Sequence, residues 1–299
     1  MFPIIPAASA ADSGNQEGIF GFGDTGSVTG VTNLVSNTGV VASDTAAVGT
    51  ARKSPAACEF GGDQGIFGYG YAAGETPVTT TNLVSNAGVV ASDTVGAGEE
   101  RGYLGACGYG GDKGIFGFGY TGANKSLTNL VSNVGVVATD QAATTGTARR
   151  GLAACEYGAD KGIFGFGNDG SACDITNLVS NAGVVASDGS GVGTPRKYIA
   201  ACGFGGDQGI FGYGAGSEIA ETNLVSNAGV VASDTAGVGT ARHYLAATQY
   251  GGDKGIFGYG TTGSRTEVTN LVSNAGVVAS DQAATTGTAR QELAACSFN

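Results

Sequence analysis

The chain has 299 residues, with 56 glycines, 41% hydrophobic and 13% charged residues, no tryptophan and a formal net charge of −11 at pH 7. Sparse charge beside many β-branched and aromatic residues excludes a disordered chain, and the acidic balance argues against a nucleic-acid partner, whose phosphates require clustered Lys and Arg. No stretch approaches the ~18 apolar residues of a membrane span, and "MFPIIPAASAADS" lacks the basic n-region and long apolar run of a cleaved signal.

Residues 1–17 read as an N-terminal extension, whose "MFPIIP" is expected to anchor the chain to a neighbouring subunit. From Gly18 onward the chain is periodic. "GIFG" begins at Gly18, Gly65, Gly114, Gly162, Gly209 and Gly255, so the spacings are 47, 49, 48, 47 and 46. Six units fill residues 18–299 as one domain, and a period in this range belongs to radial β repeats and solenoids. Helical repeats are excluded, because apolar residues do not recur at helical spacing and each glycine would cost a helix about 1 kcal/mol.

Within a unit, turn residues divide four short strands. "LAACEY" (Leu152 to Tyr157) is the first, "GADKG" a turn, "IFGFG" the second, "TNLVS" the third, and "VGVVATD", after a turn at Asn133 in the preceding copy, the fourth. Gly, Asn and Asp in "GGDKG" and "SNAG" tolerate the positive φ of tight hairpins. The expected architecture is all-β: a six-bladed β-propeller with four antiparallel strands per blade. In "GIFGYG", Phe67 and Tyr69 should point one way and Ile66 and Gly68 the other, so that glycines on one blade make room for the rings of the next. The terminal "ELAACSFN" (Glu292 to Asn299) is a first strand with no second strand after it, and is expected to complete the blade begun at Gly18 and close the ring. The alternative is that Ala7 to Ala11 fills that slot.

Each unit carries an Asp and, eight or nine residues later, an Arg: Asp44 and Arg52, Asp93 and Arg101, Asp140 and Arg149, Asp188 and Arg196, Asp234 and Arg242, Asp281 and Arg290. A site is rarely needed six times, so these are read as structural charge-assisted pairs bracing the strand-four to strand-one connection. Asp63, Asp112, Asp160, Asp207 and Asp253 recur in the glycine turns, where an Asp usually bonds its own backbone. One carboxylate beside a lysine does not make a calcium loop. Cys58, Cys107, Cys155, Cys202 and Cys296 share one first-strand position, too far apart around a ring for disulfides and better read as buried small-residue packing. Cys173 falls in a variable loop and is expected to be exposed and reactive. With His243 as the single histidine, neither a metal centre nor a Ser-His-Asp arrangement is expected, and no unique carboxylate pair of glycosidase type stands out among the copied carboxylates. No cofactor is expected.

The order of Arg52, "AACEF", Gly61, Gly62, "GIFGYG" and "TNLVSN" resembles a kelch repeat, although the glycines come as Gly-aromatic-Gly and the outer tryptophan is missing. The wording "TNLVSN…GVVASD…GIFGYG" also resembles repeats in uncharacterised proteins of phages that infect aquatic bacteria, cyanophages among them. That resemblance implies a virion protein of tail, fibre or capsid-decorating type on a particle surface, made without a signal peptide, with other virion proteins or a host-surface receptor or glycan as partners. Variation among the units concentrates in the strand-two to strand-three and strand-four to strand-one loops, which share one face of the disc. Tyr71, Tyr103, Tyr120, Lys125, Tyr198, His243, Tyr244 and Arg265 are therefore the candidate contacts of a non-catalytic recognition face for protein or carbohydrate. The competing expectation is a polysaccharide-acting glycosidase or lyase, recognisable by an unshared carboxylate pair facing the axis.

Overall fold

A computed structural model describes residues 15–142, 146–216, 218–283 and 287–299. Both the apolar "MFPIIP" and the Ala7 to Ala11 alternative lie outside them. The described residues form six three-stranded antiparallel sheets, a two-stranded ribbon of Tyr71–Ala72 and Thr76–Pro77, and no helix. In chain order the inner, middle and outer strands of the second to sixth sheets are Ala56–Phe60, Gln64–Gly68 and Thr81–Val84; Gly105–Tyr109, Lys113–Gly117 and Thr128–Val131; Ala153–Tyr157, Lys161–Asn168 and Ala172–Val179; Ala200–Phe204, Gln208–Gly212 and Thr222–Val225; and Ala246–Tyr250, Lys254–Gly258 and Thr269–Val272. The first sheet takes its middle and outer strands from Glu17–Asp24 and Val28–Val35 and its inner strand from the far end of the chain, Ala294–Phe298, with Ile19 opposite Cys296 and Gly21 opposite Ala294.

The expected fourth strand is reduced to isolated bridges, such as Val84 with Val90 and Thr81 with Thr94. The reason is Asn82. Its side-chain amide reaches across and donates to the Ala91 carbonyl at 3.0 Å and to Asp93 Oδ1 at 2.9 Å, so a side chain replaces part of the ladder.

Each sheet is fastened to the next by three backbone hydrogen bonds, and each set returns to its starting sheet. At the start of the inner strands, Tyr103 donates to Ser54, Gly151 to Tyr103, Tyr198 to Gly151, Tyr244 to Tyr198, Glu292 to Tyr244 and Ser54 to Glu292, at 2.6–3.1 Å. A second set joins Gly23, Gly70, Gly119, Gly167, Gly214 and Gly260 to the carbonyls of Arg52, Arg101, Arg149, Arg196, Arg242 and Arg290. The third joins Gly61, Gly110, Gly158 and Gly205 to the turn aspartates of the following sheet, with Gln16 serving Gly251 and Asp63 serving Asn299.

The side chains interlock in the same cyclic order. Phe116 of the third sheet inserts against Gly68, where a β-carbon would lie 2.8 Å from its ring, and packs edge-on to Tyr69 at 5.2 Å. The expectation that Phe67 and Tyr69 share a direction is corrected: Phe67 meets Phe22 of the preceding sheet, and Tyr69 meets the following one. Tyr69 has φ 63°, and this left-handed residue reverses the alternation. The equivalents Phe22, Phe118, Phe166, Tyr213 and Tyr259 do the same, so this backbone strain belongs to the repeat itself. The shared first-strand cysteines are buried, free thiols; Cys58 Sγ lies over Gly114 and Cys296 Sγ over Gly65, each filling the space left by a glycine of the next sheet.

Candidate functional site

All six inner strands line a common central channel. At one register level the inner strands carry Ala57, Ala106, Ala154, Ala201, Ala247 and Ala295, and such small side chains let six strands approach one axis.

The recurrent Asp and Arg residues lie outside this channel, between sheets, and their partnering is offset from the expectation. The near pairs in sequence are not the pairs in space. Arg101 Nη1 lies 3.7 Å from Asp140, and Arg196 Nη1 lies 3.8 Å from Asp234. Asp93, Asp188, Asp281 and Asp44 likewise sit near Arg52, Arg149, Arg242 and Arg290. Each arginine thus meets the aspartate of the following repeat, with Arg290 reaching back to Asp44. All six arginines are 0% exposed and stack 3.9–4.6 Å over an aromatic ring of the preceding sheet. Burial pulls the Arg52 and Arg149 guanidinium groups down to about 10. A short sequence spacing did not bring the residues together because the connection crosses to the next sheet between them. The turn aspartates bond their own backbone as expected at Asp160 and Asp253 and also do more: the Asp112, Asp160, Asp207 and Asp253 side chains accept from Asn133, Asn181, Asn227 and Asn274 at 3.0–3.2 Å, joining the two hairpin turns of one sheet.

On the face bearing the variable loops, six of the eight candidate contacts converge. Tyr103 is the centre, with ring centroids of Tyr71, Tyr198 and Tyr244 at 5.7, 5.9 and 6.3 Å. Tyr198 lies 4.2 Å from Tyr244, His243 lies 4.8 Å from Tyr244, and the Tyr71 hydroxyl donates to the Tyr120 carbonyl at 2.6 Å. Two glycines make the cluster sterically feasible: a β-carbon at Gly102 would lie 2.3 Å from the Tyr71 ring, and one at Gly151 2.5 Å from that of Tyr198. Tyr71, Tyr103, Tyr120 and Tyr198 line a groove of about 660 Å³, joined by Glu75 and Arg150. Burial raises the Tyr71 hydroxyl to about 12, so it stays a neutral hydrogen-bonding group around neutrality. Lys125 and Arg265 stand apart in ion pairs with Glu99 and Asp24, each at 2.7 Å.

Two residues here escaped the sequence. Glu292 accepts from the Ser54 hydroxyl at 2.6 Å and the Tyr103 hydroxyl at 3.1 Å, which fixes the central ring. Arg150 was hidden behind its neighbour Arg149. Its guanidinium carbon lies 4.2 Å from the Tyr120 ring centroid, and its charged form is further favoured by the Tyr198 hydroxyl. Cys173, expected to be exposed, is only 7% exposed, and burial raises its thiol. The "loop" around it is the tight turn of lengthened strands, Lys161–Asn168 and Ala172–Val179, with Cys173 paired opposite Gly167.

The opposite mouth of the channel overturns the reading that no unique carboxylate pair exists. One inner-strand position reads Glu59, Gly108, Glu156, Gly203, Gln249 and Ser297 around the ring. The large side chains alternate with small ones for a steric reason: a β-carbon at Gly108 would lie 1.5 Å from Glu156 Oε1, and one at Gly203 2.9 Å from Gln249 Oε1. Glu59 accepts from the Ser297 hydroxyl, and the funnel containing both glutamates measures about 220 Å³. Desolvation pushes the Glu156 carboxyl well above 4.5, and the charge of Glu59 adds to the shift. The folded chain therefore keeps a proton there that the unfolded chain has released, so this group costs stability as pH rises from about 4.5 toward the raised value. Glu156→Gln removes that loss. In thermal melts it is expected to match the parent near pH 4.5 and to gain on it as the pH rises from there; a pH-independent difference would disprove the burial account.

Comparison with protein-family models and with curated proteins finds no match to this chain.

Proposed function

We propose that the chain is a closed six-bladed β-propeller of kelch-like repeats that serves as a non-catalytic recognition module, holding a carbohydrate chain in the tyrosine groove of its variable face. The observation that carries this reading is the convergence of Tyr71, Tyr103, Tyr120 and Tyr198 on one groove, in loops that differ from unit to unit. Its volume lies within the range of small-molecule sites, and tyrosine side chains offer ring faces and hydroxyls to sugars. Cyclic hydrogen bonding supports the closed ring, and the repeat wording supports a virion surface as the setting, with a host-surface glycan as the natural partner. Against a panel of surface oligosaccharides, the intact protein should bind at least one, and Tyr71→Ala or Tyr198→Ala should weaken that binding about tenfold, corresponding to ~1.4 kcal/mol. Full binding by both variants would remove the groove from the account.

A polysaccharide-acting enzyme is the second reading, favoured by the Glu59 and Glu156 pair. Recognition is preferred because that pair sits at the opposite end of the channel from the aromatic groove, in a funnel below the ~300 Å³ at which ligand pockets usually begin. Release of reducing ends from a bound oligosaccharide, abolished by Glu59→Gln, would reverse the preference.

A further inference from the structure

The fourteen lysines and arginines are distributed unevenly in purpose. Six are the buried arginines between sheets. Six more each hold a carboxylate within 2.9 Å: Lys53, Lys113, Lys125, Lys161, Lys254 and Arg265. Among the described residues, the two left without a carboxylate are Arg150 and Lys197, and both interact with Tyr198, Arg150 through its hydroxyl and Lys197 over its ring. Arg150 touches the Tyr198 hydroxyl and stacks on Tyr120, while Lys197 Nζ is 5.6 Å from the Tyr198 ring centroid.

In a chain of net charge −11, carboxylates are abundant and cations scarce, so Arg150 in the groove lining, without a carboxylate, and a second such cation, Lys197, beside the groove residue Tyr198, are the exceptions to the pattern. Arg150 is held in place from two sides, with its planar face on Tyr120 and its edge at Tyr198, and a guanidinium fixed in this way presents its remaining donors in the fork geometry that fits a carboxylate or sulfate. The surrounding tyrosines supply ring faces for the apolar side of a sugar. From this arrangement we infer that the groove is selective for an acidic saccharide, with an anionic substituent bound by Arg150 in the groove and drawn there also by Lys197 beside Tyr198. The inference rests on the carbohydrate reading of the groove and adds its charge class.

The test is a titration of the full chain, at low and moderate salt, with four probes: a neutral oligosaccharide, an oligouronate of the same length, a sulfated oligosaccharide and a poly-glutamate peptide. The expected result is binding of the uronate or the sulfated chain about tenfold tighter than the neutral one, weakening with salt; whichever leads identifies the anionic group. Arg150→Gln and Lys197→Gln should each lower acidic-saccharide binding far more than neutral-sugar binding, so that most of the preference is lost, and Arg150→Lys should restore only part of it. Melting curves matching the parent show that the variants are folded. Equal binding of neutral and acidic saccharides, or a preference that survives both substitutions, overturns the anionic inference and leaves the groove reading standing. Binding of no saccharide at all removes both. Peptide binding equal to that of the acidic saccharides, and lost in the same variants, would make the site a reader of acidic protein segments and overturn the saccharide assignment.

Discussion

Arg101→Ala should lower the unfolding free energy by about 3–5 kcal/mol, the usual cost of removing one partner from a buried charged network. Arg101 is 0% exposed, and its Nε donates to the Phe118 carbonyl at 2.7 Å, Nη1 to the Glu99 carbonyl at 2.9 Å and Nη2 to Asn129 Oδ1 at 2.6 Å. Its guanidinium also covers the Tyr69 ring of the preceding sheet at 4.6 Å. Removing it leaves an acceptor on Asn129 without its donor and uncovers an aromatic ring at a sheet interface. Burial lowers the arginine's own pKa, so desolvation already opposes its charge, and the interaction survives because every side of the guanidinium is occupied. Lysine has one point charge in place of the planar fork, so Arg101→Lys should recover less than half of the loss. Lys254→Ala, which breaks an exposed pair with the adjacent Asp253, is the contrast and should stay within ~0.5 kcal/mol. Urea unfolding of the three variants measures the series, and a loss below ~1 kcal/mol for Arg101→Ala would show that the arginine is only filling space.

The same arginine shows what could be read in the sequence and what could not. Its sixfold recurrence and structural role were legible, because repetition of one charged residue at one phase implies a shared environment. Its partner was not. A one-dimensional reading favours Asp93, eight residues before Arg101, whereas the chain crosses to the next sheet in that interval and Asp140 supplies the carboxylate. Asp93 instead receives the Thr50 amide and hydroxyl of the sheet before it. Strand order and the hairpin turns followed from glycine, Asn and Asp placement, since these signals are local. The direction of Tyr69 did not, because a left-handed aromatic residue is disfavoured until its neighbours are in place to hold it. Glu59 and Glu156 do not stand out among the repeated carboxylates, although their column of Glu, Gly, Glu, Gly, Gln and Ser carries a signal: long side chains alternating with residues that leave them space.

Removal of residues 292–299 should abolish cooperative folding of the remaining chain, although only a short terminal strand is lost. Those residues supply the inner strand of the first sheet, in register with Glu17 through Gly21, and bury Leu293, Ala294, Cys296 and Phe298. Full burial of Leu293 and Phe298 alone stabilises by roughly 1.5–3 kcal/mol each. Glu292 also links Tyr244 to Ser54 in the innermost set of hydrogen bonds, and Asn299 donates to the Asp63 carbonyl. In an open stack of repeats, trimming one end weakens a single nearest-neighbour interface and the rest melts much as before. In a closed ring the same strand belongs to two interfaces at once: Cys296 fills the gap at Gly65 of the second sheet, while the inner strand of the sixth sheet packs on its other side. The two architectures therefore separate on one measurement. A ring predicts that the shortened chain is rapidly cleaved by protease, shows no sharp thermal transition and regains protection when the peptide "ELAACSFN" is added in trans. An open stack predicts a sharp transition lowered by only a few degrees and indifferent to the peptide.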